Sequence, residues 1–480
     1  MKKNFLLSFI LATFCLPIFA NNITVSAPTL TDGSPSDGGS GYGYVNFDLS
    51  WENSWRLSSG ASNWDAAWVF VKYRVGGTGE WLPANLHNTG HIAGSGTAAD
   101  ITVGLVDDNS AFDATTNPGI GVYVYRSTVG SSTFSNRGLK LRWDYGADGV
   151  VGGANVELRV FAIEMVRVME GAFNVGGGGG NYAFESTTIS TANATTAPTG
   201  VGALGGASGG YPTGITAPAN ASWPNGYAAF YCMKYEVTQQ QYVDFLNTLT
   251  QTQADAHKYT EAAYRYAITG SVVGNYATTL PNVACSLIST TDGAAYADWS
   301  GLRPMTELEF EKACRGNQPA VAGEYAWGTA GIANLEYTLS NAGAANEGIA
   351  TNYSVTVGNS SNVNTSYTGP VRVGIFAANG SNTGRVSAGA SYWGIMELSG
   401  NLNERTISIG IANNRLFTGA TGDGLLESNG NPNIANCYFS GWRGGSYENS
   451  PEYLYVSGRD NAVNTNNGIS FNIGFRAVRR

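Results

Sequence analysis

Four cysteines beyond the N-terminal leader, Cys232, Cys285, Cys314 and Cys437, carry the most reactive side chains of this 480-residue chain. A thiolate can ligate a soft metal, attack an electrophile or pair as a disulfide. The spacings form no C-x-x-C metal pattern. They permit two disulfides in any of three pairings, or four small buried hydrophobes. The sequence has three histidines. His87 and His91 lie four apart in a Gly- and Asn-rich stretch without a third ligand and read as loop residues, and His257 stands alone. Arg303, Glu307, Glu309 and Glu311 could charge an active site, but their spacing reads as a solvated helix face with a cap.

Between Arg443 and Arg476 the interior is aromatic and polar: Tyr447, Glu448, Asn449, Tyr453, Tyr455, Ser457, Asp460, Asn464, Asn466, Asn467, Ser470, Phe471 and Asn472. Tyrosine supplies rigid contact area and a hydroxyl at low entropic cost, and Asn and Ser supply adaptable hydrogen bonds. That is the chemistry of a recognition surface; an ordinary polar loop surface is the plainer alternative. Trp442, Arg443 and Arg476 read as frame, because a buried guanidinium holds carbonyls and carboxylates together.

The elements that must position these groups are legible in part. Thr238-Gln239-Gln240-Gln241 is a capping box, followed by Tyr242, Phe245, Leu246 and Leu249 on one helical face. Thr306-Glu307-Leu308-Glu309 is a second, ahead of Phe310 and Ala313, with Gly316 placed to stop the helix. A third, shorter helix is expected over 293–299. Upstream, apolar and polar residues alternate at 45–49, 67–73, 121–125, 139–143 and 156–161 between Gly-rich turns. Short strands so spaced predict an antiparallel β-sandwich over 21–162. Trp51, Trp55, Trp64, Trp68 and Trp81 read as its core or sheet-face aromatics, with a sugar-binding platform as the alternative. A second domain of α+β character is expected over 163–480, interrupted at 176–225 by a Gly-, Ala-, Thr- and Ser-rich stretch read as a surface excursion.

Residues 1–20 read as a signal peptide: Lys2-Lys3, an apolar run from Phe5 to Phe19, and a small residue at Ala20. Export to the cell surface, the medium or the periplasm is therefore expected, and no later segment is apolar enough to span a bilayer. A formal charge of −9 leaves no electrostatic footprint for nucleic acid. Sixty-four glycines and 13% charged residues suit a loop-rich folded protein.

Seven segments, in order, resemble the formylglycine-generating-enzyme (sulfatase-modifying factor) family: 165–176, 235–246, 295–316, 325–328, 393–405, 443–447 and 473–479. The resemblance covers about 163–480 and implies an irregular C-type-lectin-like fold. It also implies two thiolates after Arg443-Gly444-Gly445-Ser446 for copper and oxygen chemistry, but those positions hold Asn449 and Leu454. A related branch needs an iron-binding histidine cluster, and this domain has only His257. No copper or iron is therefore expected. The resemblance further implies a structural Ca2+ held by the carbonyls of Glu397, Gly400 and Leu402 and the side chain of Glu404, chemistry that suits a hard cation; Asn403 stands where Trp is usual. The Arg443–Arg476 frame is also similar to that of variable proteins diversified by retroelements. The expected function is an exported, non-catalytic recognition module for a protein or glycan ligand. The alternatives are a formylglycine-generating-type oxidoreductase or other enzyme with unrecognised chemistry, and a structural cell-surface or matrix component.

Overall fold

The computed structural model describes residues 22–33, 41–194, 221–259, 261–363, 365–437, 441–462, 464 and 468–480. The expected leader, and Asn466 and Asn467, lie outside these residues.

Period-2 alternation builds the N-terminal half as expected. Strands Gly43–Arg56 and Gly130–Trp143 pair antiparallel at the centre of a five-stranded sheet. Val45, Phe47, Leu49 and Trp51 point to one side of it and share a buried cluster with Ala67, Val69, Val71 and Tyr73 of strand Asp65–Val75. The latter strand belongs to an eight-stranded sheet. Its alternate residues Ala66, Trp68 and Phe70 point the other way, into the core formed with the helices. The alternation expected over 67–73 is corrected here: 66–71 is an unbroken apolar run, because both faces of this strand are covered.

The eight-stranded sheet joins the two halves of the chain. Strand Val156–Val168 pairs with Asp65–Val75 through its first part and with Phe230–Met233 through Met165 to Val168, so it runs straight through position 162. The C-terminal strand Ala477–Arg479 and the short strand Arg303–Pro304 extend the same sheet. Trp68 donates its indole N–H to the Ser300 carbonyl at 2.8 Å, and Phe70 meets Trp299 edge-on. The core of the second half is thus built on the back of the first.

Among the described residues four α-helices occur: Gln239–Leu246, Gln251–His257, Thr290–Trp299 and Glu307–Arg315. Each opens with a complete capping box, in which an N-cap hydroxyl and the third helical side chain exchange backbone hydrogen bonds. The helix Gln251–His257 was not expected, although Thr250 and Gln253 obey the same rule. Gly316 ends the last helix at φ +69°, a conformation that disfavours a side chain.

One expectation needs correction here, and one open alternative is decided. The stretch 176–225 is packed at both described ends: Phe184, Ile189 and Trp223 are buried, and Trp223 donates to the Asn414 carbonyl at 3.0 Å. Isolated aromatics and an Ile in a small-residue background suffice to anchor it. The four cysteines are free and buried, the small-hydrophobe reading of their chemistry. Burial pushes the Cys437 thiol up to about 12 and the other three higher still, so none is a ready thiolate.

Candidate functional site

The helix Glu307–Arg315 is not a solvated face: Arg303, Glu307, Glu309 and Glu311 are all at least 97% buried. Glu309 closes the capping box and holds Arg303 in a two-pronged pair at 2.6 and 2.8 Å. Glu307 accepts from Arg459 at 2.7 and 3.0 Å, from Arg443 at 3.1 Å, and from Ser408 and the Ile409 amide. Glu311 takes Arg443 at 2.8 Å and the Gly176 amide at 2.8 Å. Arg315 joins Glu311 and Glu324 and donates to Ser457 at 2.8 Å. Burial pushes the Glu307 carboxyl up, but Arg459 and Arg443 outweigh it and hold the group below the usual carboxylate range. Three carboxylates and three guanidiniums thus clamp the loop 443–459 onto one helix.

That clamp divides the expected recognition residues. Tyr447 and Ser457 are buried; Tyr447 packs with Tyr235, Val373 and Leu402, and Ser457 serves Arg315. Asn449 accepts from the Ser446 amide and hydroxyl, both at 2.9 Å, which closes the turn. Asp460 accepts from Asn181 at 2.8 Å, and Ser470 donates to Asn472 at 2.7 Å. Glu448 is exposed and Tyr453 is 39% exposed, whereas Tyr455 is half-buried against Tyr325. Asn464 and Asn472 are half-buried. Sequence reasoning missed Tyr264, whose ring stacks on Phe471 with centroids 4.2 Å apart at the same surface; no spacing rule links residues so far apart.

The two positions at which the resemblance implies thiolates are closed. Leu454 is fully buried with Tyr325 and Trp327. The hollow beside Asn449, lined by Asn403, Arg443, Asn449 and Tyr453, has a volume of about 10 Å³. That is room for about one water molecule. Cys437 does not line it and packs in the helical core.

The stretch 397–404 is a tight wrap, with positive φ at Glu397, Gly400 and Asn401. Glu236 reaches into it: its carboxylate accepts the Leu402 amide at 2.9 Å and the Asn401 side chain. Glu404 is buried and its Oε1 accepts from Arg476 at 2.6 and 2.8 Å, while its Oε2 has no partner. Glu397 accepts the Gly374 amide at 2.9 Å, and its Oε2 also has no partner. Burial, above all, raises all three carboxyls, Glu397 to about 7. The unpartnered oxygens of Glu397 and Glu404 are of the chemical type that a hard cation takes. Among the described residues no group of three or more His, Cys, Asp or Glu could hold a metal. A cation here would therefore rely on the carbonyls of Glu397, Gly400 and Leu402 together with Glu404. Arg476 meanwhile gathers the carbonyls of Met233, Lys234 and Met396, the framing role expected of it.

A β-rich scaffold carrying an irregular, arginine-clamped domain defines the class. Residues 162–480 match the family described as "Sulfatase-modifying factor enzyme 1-like domain", and the chain belongs to that family. No curated protein matches it. Among the solved structures that match is Treponema denticola variable protein 1, at 13% identity and TM-score 0.33, covering 66% of this chain and 96% of that one. Among the described residues no helix is long and apolar enough to cross a membrane.

Proposed function

We propose that this chain is an exported recognition module in which a sandwich-like N-terminal carrier presents a calcium-stabilised, C-type-lectin-like domain, and that the surface of 447–472 binds a protein or glycan. The observation that carries the reading is the division of labour within that segment. Its Arg459 and Ser457 are buried and fixed, whereas Glu448 and Tyr453 are exposed and Phe471 stacks on Tyr264. Rigid aromatic display on a clamped backbone lowers the entropic cost of capture. Asn449 and Leu454 also lack the ionisable sulfur that copper and oxygen chemistry would use.

The test is a glycan and cell-surface-protein array probed with the full chain and with Tyr453→Ala. Specific capture lost in the variant supports the proposal. Capture unchanged by Tyr453→Ala, or conversion of a peptide thiol to an aldehyde with oxygen uptake, would refute it.

A further inference from the structure

A separate cavity of about 390 Å³ opens between the N-terminal sheet and the family domain, and no residue of 443–476 lines it. Its volume lies in the range of small-molecule sites, and a boundary between two structural units is a common place for one. A β-bulge helps to build it. Trp51 and Trp55 lie four apart on strand Gly43–Arg56 and would share a face, but the pairing register slips between Trp51 and Ser54, where Asn53 takes φ +54°. One extra residue sends Trp55 to the opposite face. Trp51 stacks in the N-terminal core, and Trp55 packs toward the family domain. Asp65 pins the bulge, accepting the Trp51 indole, the Ser54 hydroxyl and the Trp55 amide, each at 2.9 Å. Gly394 lets the ring approach: a Cβ there would lie 2.9 Å from it.

The lining is aromatic, with Trp55, Tyr235, Tyr392 and Trp393, and its charges are spent. Lys234 sits 2.9 Å from Glu164 and 3.4 Å from Asp65, beneath the Trp55 ring. Arg385 donates to the carbonyls of Ala326 and Ala390 and lies over Tyr392. What remains unspent is neutral. Among the described residues the hydroxyl of Tyr235, a side chain 94% buried, has no hydrogen-bond partner, nor does the Trp55 indole N–H. Asn63 is fully buried and lines the cavity with its Oδ1 unpartnered. Flat apolar walls with the uncharged Tyr235 hydroxyl and Trp55 indole N–H suit a ligand with apolar ring faces and many hydroxyls. We infer that this cavity binds a pyranose ring of a neutral saccharide, stacked on Trp55 and hydrogen-bonded by the Tyr235 hydroxyl.

The test is calorimetry and tryptophan fluorescence of the full chain titrated with methyl glucoside, methyl galactoside, methyl mannoside and N-acetylglucosamine. At least one should bind saturably. Tyr235→Phe, which keeps the ring and removes only the hydroxyl, should weaken it about five- to tenfold, and Trp55→Phe should weaken it further. Unfolding midpoints within error of the parent would keep the loss assigned to the site. Silence with all four sugars overturns the inference, as does affinity indifferent to both cavity variants. Binding of a Trp-containing peptide in place of every sugar overturns the ligand class.

Discussion

Arg443 and Glu307 face each other at 3.1 Å with both side chains fully buried, and Arg459 closes on the same carboxylate from the other side. One carboxylate of a helical first turn therefore fixes two points of the C-terminal loop. Its worth is structural, because each ion is desolvated and tolerable only while its partners remain.

Glu307→Gln is expected to destabilise the protein by about 3–5 kcal/mol, since it leaves two buried guanidiniums undercompensated. Urea unfolding of the full chain measures this. A loss under about 1 kcal/mol would mean that water reaches the pair.

The same cluster marks where sequence reading ends. Capping boxes at Thr238 and Thr306 and the alternating strands are short-range signals, and both elements formed as read. Charge on a helix, in contrast, normally marks solvent, and nothing local tells that Glu307 and Glu311 meet Arg443 more than 130 residues later. Tyr447 and Ser457 were legible as polar loop residues but not as buried ones, for the same reason: burial depends on what folds over them. The bulge that turns Trp55 outward from its own sheet is likewise invisible in a pattern read two residues at a time.

Calcium should raise the unfolding midpoint, adding about 2.7 kcal/mol to the unfolding free energy at one hundred times its dissociation constant. Glu404→Gln should lower the baseline, because Arg476 loses its partner, and should also erase the calcium-dependent increment. That increment is the diagnostic quantity. A parent protein indifferent to both calcium and chelator would remove the metal proposal.

Asp148 should give stability a pH slope in the acid range. Burial raises its carboxyl to about 6 against the donations of the Trp143 indole and the Asn85 amide. The folded state therefore holds a proton that the unfolded chain releases near pH 4. The contribution is complete below that value and is lost as pH rises through about 6. Partial solvent access reduces it to about 1–2 kcal/mol. The parent's denaturant midpoint should fall between pH 4 and 6.5 while that of Asp148→Asn stays flatter, so the gap between the two changes across this window if this group is the source. Parallel profiles would assign the slope elsewhere.

Tyr453 and Tyr455 should separate recognition from folding. The Tyr455 ring lies 5.2 Å from that of Tyr325, beside Trp327 and the buried Leu454, so its truncation removes packing as well as surface. Tyr455→Ala is expected to cost about 1–2 kcal/mol, an aromatic pair and part of its buried area. Tyr453 stands in a short 3-10 turn, 39% exposed, and the buried Leu454 already anchors that turn. Tyr453→Ala should therefore leave stability within about 0.5 kcal/mol, as surface substitutions do. Its ligand affinity should fall by about tenfold or more if the ring is an interface anchor. Thermal unfolding and array titration on the same two preparations decide the matter. If Tyr453→Ala unfolds early and binds normally, the exposed ring belongs to the scaffold, and the display surface must be sought at Glu448, Tyr264 and Phe471 instead.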